Sequence, residues 1–164
     1  MTVKYAVVGC LPRSGSAWLT TLLNTQPGVL ALHQGIGRFG TEGFFQQARE
    51  GDKLVVSVGQ DVLVPETLNE FDWESVTPYL LERDTDQLVA SVEPYGIGLR
   101  VWLDREFEFC QTAQGTALRY SDMIGAVLLI LQGTGITPDY QKLRETLNMK
   151  ITNKRYELPN ETTN

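Results

Sequence analysis

The chain has 164 residues, of which 42% are hydrophobic and 21% charged. That is globular usage at the length of one domain, and it excludes a disordered chain, a collagen-like chain and a disulfide scaffold. The formal net charge of −6 argues against nucleic acid as a partner and against electrostatic docking on anionic membranes.

Residues 3–9 form a nearly continuous β-rich apolar run, suited to a strand buried on both faces of a parallel sheet. A Pro/Gly/Ser loop over 11–16 leads into a predicted helix over 17–24, stopped by Gln26-Pro27-Gly28. Residues 29–32 read as a second strand, the glycine-rich stretch 35–43 as a loop, and 42–50 as a helix. A third strand follows over 53–58 and a short helix over 65–71. Residues 76–82 are a fourth strand, weakened in its first half by Pro78. Helices are predicted over 84–92 and 99–113, a fifth strand over 115–119, and a helix over 121–132. A turn over 133–138 and a helix over 139–149 complete the pattern, with a polar tail at 159–164. Strands alternating with helices predict one α/β domain over 1–158, with a mostly parallel sheet and helices on both faces. In such sheets ligands sit at the carboxyl ends of the strands.

Cys10 and Cys110 are the two cysteines and His33 is the one histidine. With no CxxC pair, a Cys/His zinc site is excluded and no metal is expected. Two free thiols fit a reducing, cytoplasmic compartment. Val7-Val8-Gly9-Cys10 looks like a lipoprotein cleavage box, but the apolar stretch before the cysteine is shorter than the ~7–15 residues a signal sequence needs. It reads as a strand. The longest apolar run, 124–131, falls short of the ~20 residues that cross a bilayer.

The first strand–helix junction reads Gly9-Cys10-Leu11-Pro12-Arg13-Ser14-Gly15-Ser16-Ala17-Trp18. Unpaired N–H groups and the helix dipole make such a junction an anion site. Gly15 allows close backbone approach, Ser14 and Ser16 add hydroxyls, and Arg13 adds a forked cation. A plain capped helix start is the alternative. A nucleoside-triphosphatase loop fits less well, because no lysine follows Gly15 and Gly9 stands six positions before it.

Pro12-Arg13-Ser14-Gly15-Ser16-Ala17-Trp18 resembles the 5′-phosphosulfate loop of sulfotransferases, P-[KR]-S-G-T-T-W, and residues 22–29 resemble the helix and strand that follow it. A second similarity lies at 81–92, where Arg83 and Ser91 have the eight-residue spacing of the family's 3′-phosphate site. A surface ion pair of Arg83 with Asp84 or Asp86 is the structural alternative. Residues 117–123, Ala-Leu-Arg-Tyr-Ser-Asp-Met, are similar to the family's late L-R-Y-E-D-L signature, with Asp122 also a helix cap.

The resemblance implies a P-loop-like three-layer sandwich. It implies 3′-phosphoadenosine 5′-phosphosulfate (PAPS) as co-substrate, and sulfonate transfer to a hydroxyl or amine of a small molecule, glycan or peptide. Arg13, Ser14, Gly15, Ser16 and Ala17 would hold the phosphosulfate, Trp18 would stack on adenine or pack in the core, and Arg83 with Ser91 would hold the 3′-phosphate. The acceptor needs a base. Gln34 stands where one branch of the family has its glutamate and cannot take a proton. His33 beside it suits the task, or else serves the scaffold, and Glu42 is a further candidate. The chain departs from the family in two ways. Only 27 residues separate Ser91 from Arg119, so the acceptor pocket is either absent or supplied by a partner subunit, a homo-oligomer included. The late R-K-G segment has only Lys154-Arg155 as a weak counterpart. A non-catalytic protein that keeps the fold is the competing reading, and a small nucleotide kinase is the third.

Overall fold

The computed structural model describes residues 2–148. The predicted polar tail, Lys154-Arg155 and the end of the last predicted helix lie outside them. Five strands, β1 (Lys4–Cys10), β2 (Val29–His33), β3 (Leu54–Gly59), β4 (Val76–Glu82) and β5 (Thr116–Arg119), form one sheet in the order β2-β3-β1-β4-β5. Every neighbouring pair is parallel, so the expected mostly parallel sheet is wholly parallel among the described residues.

Strand periodicity sorts side chains to two faces. On β1, Ala6, Val8 and Cys10 enter one apolar cluster and Val7 enters the other. The first cluster is closed by α1 (Ser16–Asn24), α6 (Met123–Leu131) and α7 (Tyr140–Leu147), through Leu19, Leu22, Ala126, Val127, Ile130 and Leu143. The second is closed by α2 (Gly35–Phe45), α3 (Pro65–Glu70), α4 (Thr85–Val92) and α5 (Arg100–Ala113), through Ile36, Phe44, Leu68, Leu88, Val92 and Phe109. The result is a three-layer sandwich. At ~25 cal/mol per Å² of apolar surface, burial on both faces of the central strands is the main stabilising contribution.

Two sequence expectations are corrected. The stretch read as a loop over 35–43 is α2, with a break at Gly40 (φ 74°), and the helix expected over 42–50 ends at Phe45. Glycine lowers helix propensity by ~1 kcal/mol per residue, but tertiary acceptors offset that here. Ile36 N–H donates to Ser57 Oγ at 3.1 Å and Gly37 N–H to Asp61 Oδ2 at 2.7 Å, so β3 and the turn after it cap the first turn. Pro78 does not shorten β4. At that position β4 pairs with β1 alone, because β5 pairs only from Tyr79 onward, so a missing ladder N–H costs little. No described helix is long and apolar enough to cross a membrane.

Side-chain amides fix the elements that bring the site together. Asn24 exchanges two hydrogen bonds with the Ala31 backbone, tying the end of α1 to β2. Gln26 does the same with Asp139 at the start of α7.

Candidate functional site

Because all five strands run the same way, their carboxyl ends share one edge of the sheet. The loop after β1 stands at the middle of that edge, flanked by the ends of β3 and β4. Its backbone is bent twice into the left-handed region, at Arg13 (φ 64°) and at Gly15 (φ 90°). For a non-glycine residue that conformation costs ~1–2 kcal/mol, and such outliers gather at ligand sites. Gly15 is also tightly overlaid. A Cβ there would lie 2.7 Å from the Tyr120 ring and 2.8 Å from Met123 Cε. Gly15 is the N-cap of α1, and no side chain caps the helix.

Arg83 leaves the end of β4 and reaches the loop. Its Nη1 donates to the Arg13 carbonyl at 2.7 Å, and its guanidinium lies 4.3 Å from the Tyr120 ring centroid. The ion pair with Asp84 or Asp86 is not formed. Asp84 instead caps α4, accepting from the N–H groups of Asp86 and Gln87. Arg13 turns the other way: its Nε donates a long hydrogen bond of 3.4 Å to Ser91 Oγ, and its guanidinium stacks 4.7 Å from the Tyr95 ring centroid. The loop, the end of β4 and the face of α4 therefore meet at two arginines. The one ion pair among the described residues is Arg49–Asp52, so no described carboxylate is within ion-pair distance of either guanidinium. Two buried polar atoms here lack a partner, Ser14 Oγ, on a residue 1% exposed, and Arg83 Nε. Buried polar groups are almost always satisfied, and two orphans flanking one loop mark the place for an external acceptor.

β2 brings His33 to the same edge. Its Nε2 is 3.0 Å from Ser16 Oγ. Burial holds the imidazole below its usual pKa, with Asp61 opposing that shift and Arg38 adding to it. His33 is therefore mainly neutral at pH 7. Cys10, at the end of β1, is buried and its thiol is pushed up to about 12, chiefly by burial, so it takes no part as a thiolate.

The site thus contains Arg13, Ser14, Gly15, Ser16, His33, Arg83 and Ser91. Ala17 lies in the first turn of α1. Trp18 belongs to the apolar cluster and is 5% exposed, as the packing alternative expects. Glu42 is exposed beyond the Gly40 break in α2, and no contact ties it to the loop. The sequence did not point to Tyr95 or Asp61, and it marked Tyr120 only as part of the 117–123 signature, not as a partner of Arg83. Tyr95 and Tyr120 support the two guanidiniums. Asp61, 9% exposed, puts a carboxylate near His33 while capping α2. Asp61 follows β3 by two positions, which is the signal that could have marked it; Tyr95 carries no such local mark.

No group of three or more His, Cys, Asp or Glu among the described residues could hold a metal ion. No protein-family model matches the chain, and no curated protein matches it significantly.

Proposed function

We propose that this site binds a nucleotide with phosphate groups at both its 5′ and 3′ positions, and that the protein is a compact PAPS-dependent sulfotransferase on a P-loop-like sandwich. The observation that carries the reading is the meeting of Arg13, Arg83 and Ser91. An uncapped helix-start loop and a second cation just past β4 are arranged around one another, and the neighbouring Asp84 carboxylate is engaged in capping α4. The residues fit the donor's chemistry. Two uncompensated guanidiniums suit two anionic groups, and the orphaned Ser14 hydroxyl and Arg83 Nε suit acceptor oxygens.

When bound, PAPS supplies an activated sulfonate on a phosphate leaving group. Arg13 and the N–H groups of Ser14 to Ala17 hold and neutralise the charged 5′ end, the kind of fixed electrostatic stabilisation that dominates group transfer. Arg83 and Ser91 grip the 3′-phosphate. His33 lies beside Ser16, and in its neutral form it can accept the proton of a hydroxyl or amine acceptor. Radiolabelled sulfonate transfer to a panel of phenols, sugars and amines tests the activity, and turnover abolished in His33→Ala is the expected result.

The competing reading, a binding protein without turnover, is favoured by Gln34. It follows β2 as the N-cap of α2 in a left-handed conformation (φ 53°) and offers an amide where a carboxylate would be needed. Nucleotide binding with no transfer to any acceptor in the panel would decide for it.

A further inference from the structure

His33 does more in this geometry than wait for an acceptor proton. Its Nε2 is bonded to Ser16, the residue that opens α1, and Ser16 cannot satisfy two partners with one proton. A neutral imidazole with a bare Nε2 takes the Ser16 hydroxyl proton, which leaves the loop one donor short. An imidazolium can only donate. It gives N–H to Ser16 Oγ and frees the hydroxyl proton for whatever the loop holds.

We infer that His33 is an anion-binding residue acting through Ser16: an anion seated in the loop draws a proton onto His33, and loop and imidazolium then hold it together. The inference rests on the anion site proposed above, but not on the nucleotide. The α1 N-terminus does not carry it alone, because Ser14 Oγ is buried in the same loop with no partner.

The groups around the imidazole act in both directions, with burial the largest influence. Asp61, in the turn after β3, favours the imidazolium. Arg38, on α2, opposes it, as does burial among β2, α1 and α2. Gln34 is uncharged, and Cys10, which faces Ser16, stays a neutral thiol. A negative charge added beside Ser16 acts in the same direction as Asp61, toward the charged form.

The sign follows from linkage. If the anion raises the pKa of His33, the added affinity is fully present below the free-state pKa and is lost as pH rises through the bound-state pKa. Each unit of difference is about tenfold in affinity. Turnover needs the neutral imidazole, so donor affinity and kcat respond to pH in opposite directions.

The test is an NMR titration of the one histidine in the full, untagged chain, with sodium sulfate against sodium chloride at matched ionic strength. Sulfate keeps its charge between pH 5 and 8, so any linkage belongs to the protein. The expected result is a His33 pKa raised by about one unit in sulfate and a smaller rise in Ser16→Ala, with sulfate bound about tenfold more tightly at pH 5 than at pH 8. In His33→Gln, calorimetry should find sulfate affinity flat over that range, a readout that stands even if Ser16→Ala does not fold. A His33 pKa that sulfate does not move overturns the inference. Running 3′,5′-ADP in parallel separates the two readings. Nucleotide binding with the pKa unmoved sinks this inference and leaves the proposed function. A sulfate-raised pKa with no nucleotide binding does the reverse.

Discussion

The helices of this protein begin in two different ways. At α4, α6 and α7 an aspartate closes the first turn: Asp84, Asp122 and Asp139 each accept from N–H groups one turn on. α2 is closed from a distance by Ser57 and Asp61. α1 begins with a left-handed glycine and no capping side chain; Arg83 donates to the loop before it, and neither Arg83 nor Arg13 pairs with a carboxylate among the described residues. α3 and α5 also lack a side-chain cap, but their N-caps, Val64 and Leu99, are not in the left-handed conformation of Gly15. A closed start satisfies its own donors and contributes stability. The start of α1 has no such closure, and the loop before it is strained at Arg13, features that suit the anion site proposed above.

The comparison can be broken most severely at Gly15. Gly15→Ala puts a Cβ against Tyr120 and Met123 at a positive φ. The expected loss is about 2–4 kcal/mol of stability, combining the left-handed penalty and overpacking, read by urea unfolding. A loss below 1 kcal/mol would mean that the loop relaxes freely and is not a built cradle.

The next effect is on binding. Arg83→Ala should weaken 3′,5′-ADP by ~1.5–3 kcal/mol, the worth of a charge-assisted contact, measured by calorimetry. Equal affinity in wild type and variant would separate Arg83 from the site.

Paired substitutions sharpen the contrast between open and closed starts. Asp122→Ala removes the cap on α6 and should cost ~1 kcal/mol of stability while leaving sulfate binding unchanged. Ser16→Ala should weaken sulfate binding while lowering stability by no more than one ordinary hydrogen bond, ~0.5–1.5 kcal/mol. If the two variants behaved alike, the distinction between the two kinds of start would dissolve.

The smallest expected effect is at Cys10, buried and protonated up to about 12. Iodoacetamide at pH 8 should leave it unmodified in the native protein and label it only on unfolding, followed by mass spectrometry. Rapid native labelling would show that the end of β1 is less enclosed than described.

Much of the fold was legible because its signals are local. The apolar runs of β1, β3 and β4 are dense enough to mark strands, and Asp84, Asp122 and Asp139 stand at the starts of their helices. α2 was not legible, because its donors are satisfied by Ser57 and Asp61, more than twenty positions downstream, and its glycines argue for a loop. The persistence of β4 through Pro78 depends on where β5 stops pairing, which nothing near Pro78 encodes. In the site, Arg13, Ser16, Arg83 and Ser91 were legible as motif spacing. The Ser16–His33 bond and the tyrosines beneath the two guanidiniums were not, since they depend on which strand ends the topology sets side by side.

The central claim is that the open loop and the arginine of β4 hold the two charged ends of one adenine nucleotide. Calorimetric titration of 3′,5′-ADP against 5′-AMP tests it most directly. The account predicts that 3′,5′-ADP binds and that removing its 3′-phosphate costs at least about tenfold, consistent with one lost charge-assisted contact. Equal affinities for the two nucleotides, or no heat from 3′,5′-ADP at high micromolar concentration with folded protein, would contradict it.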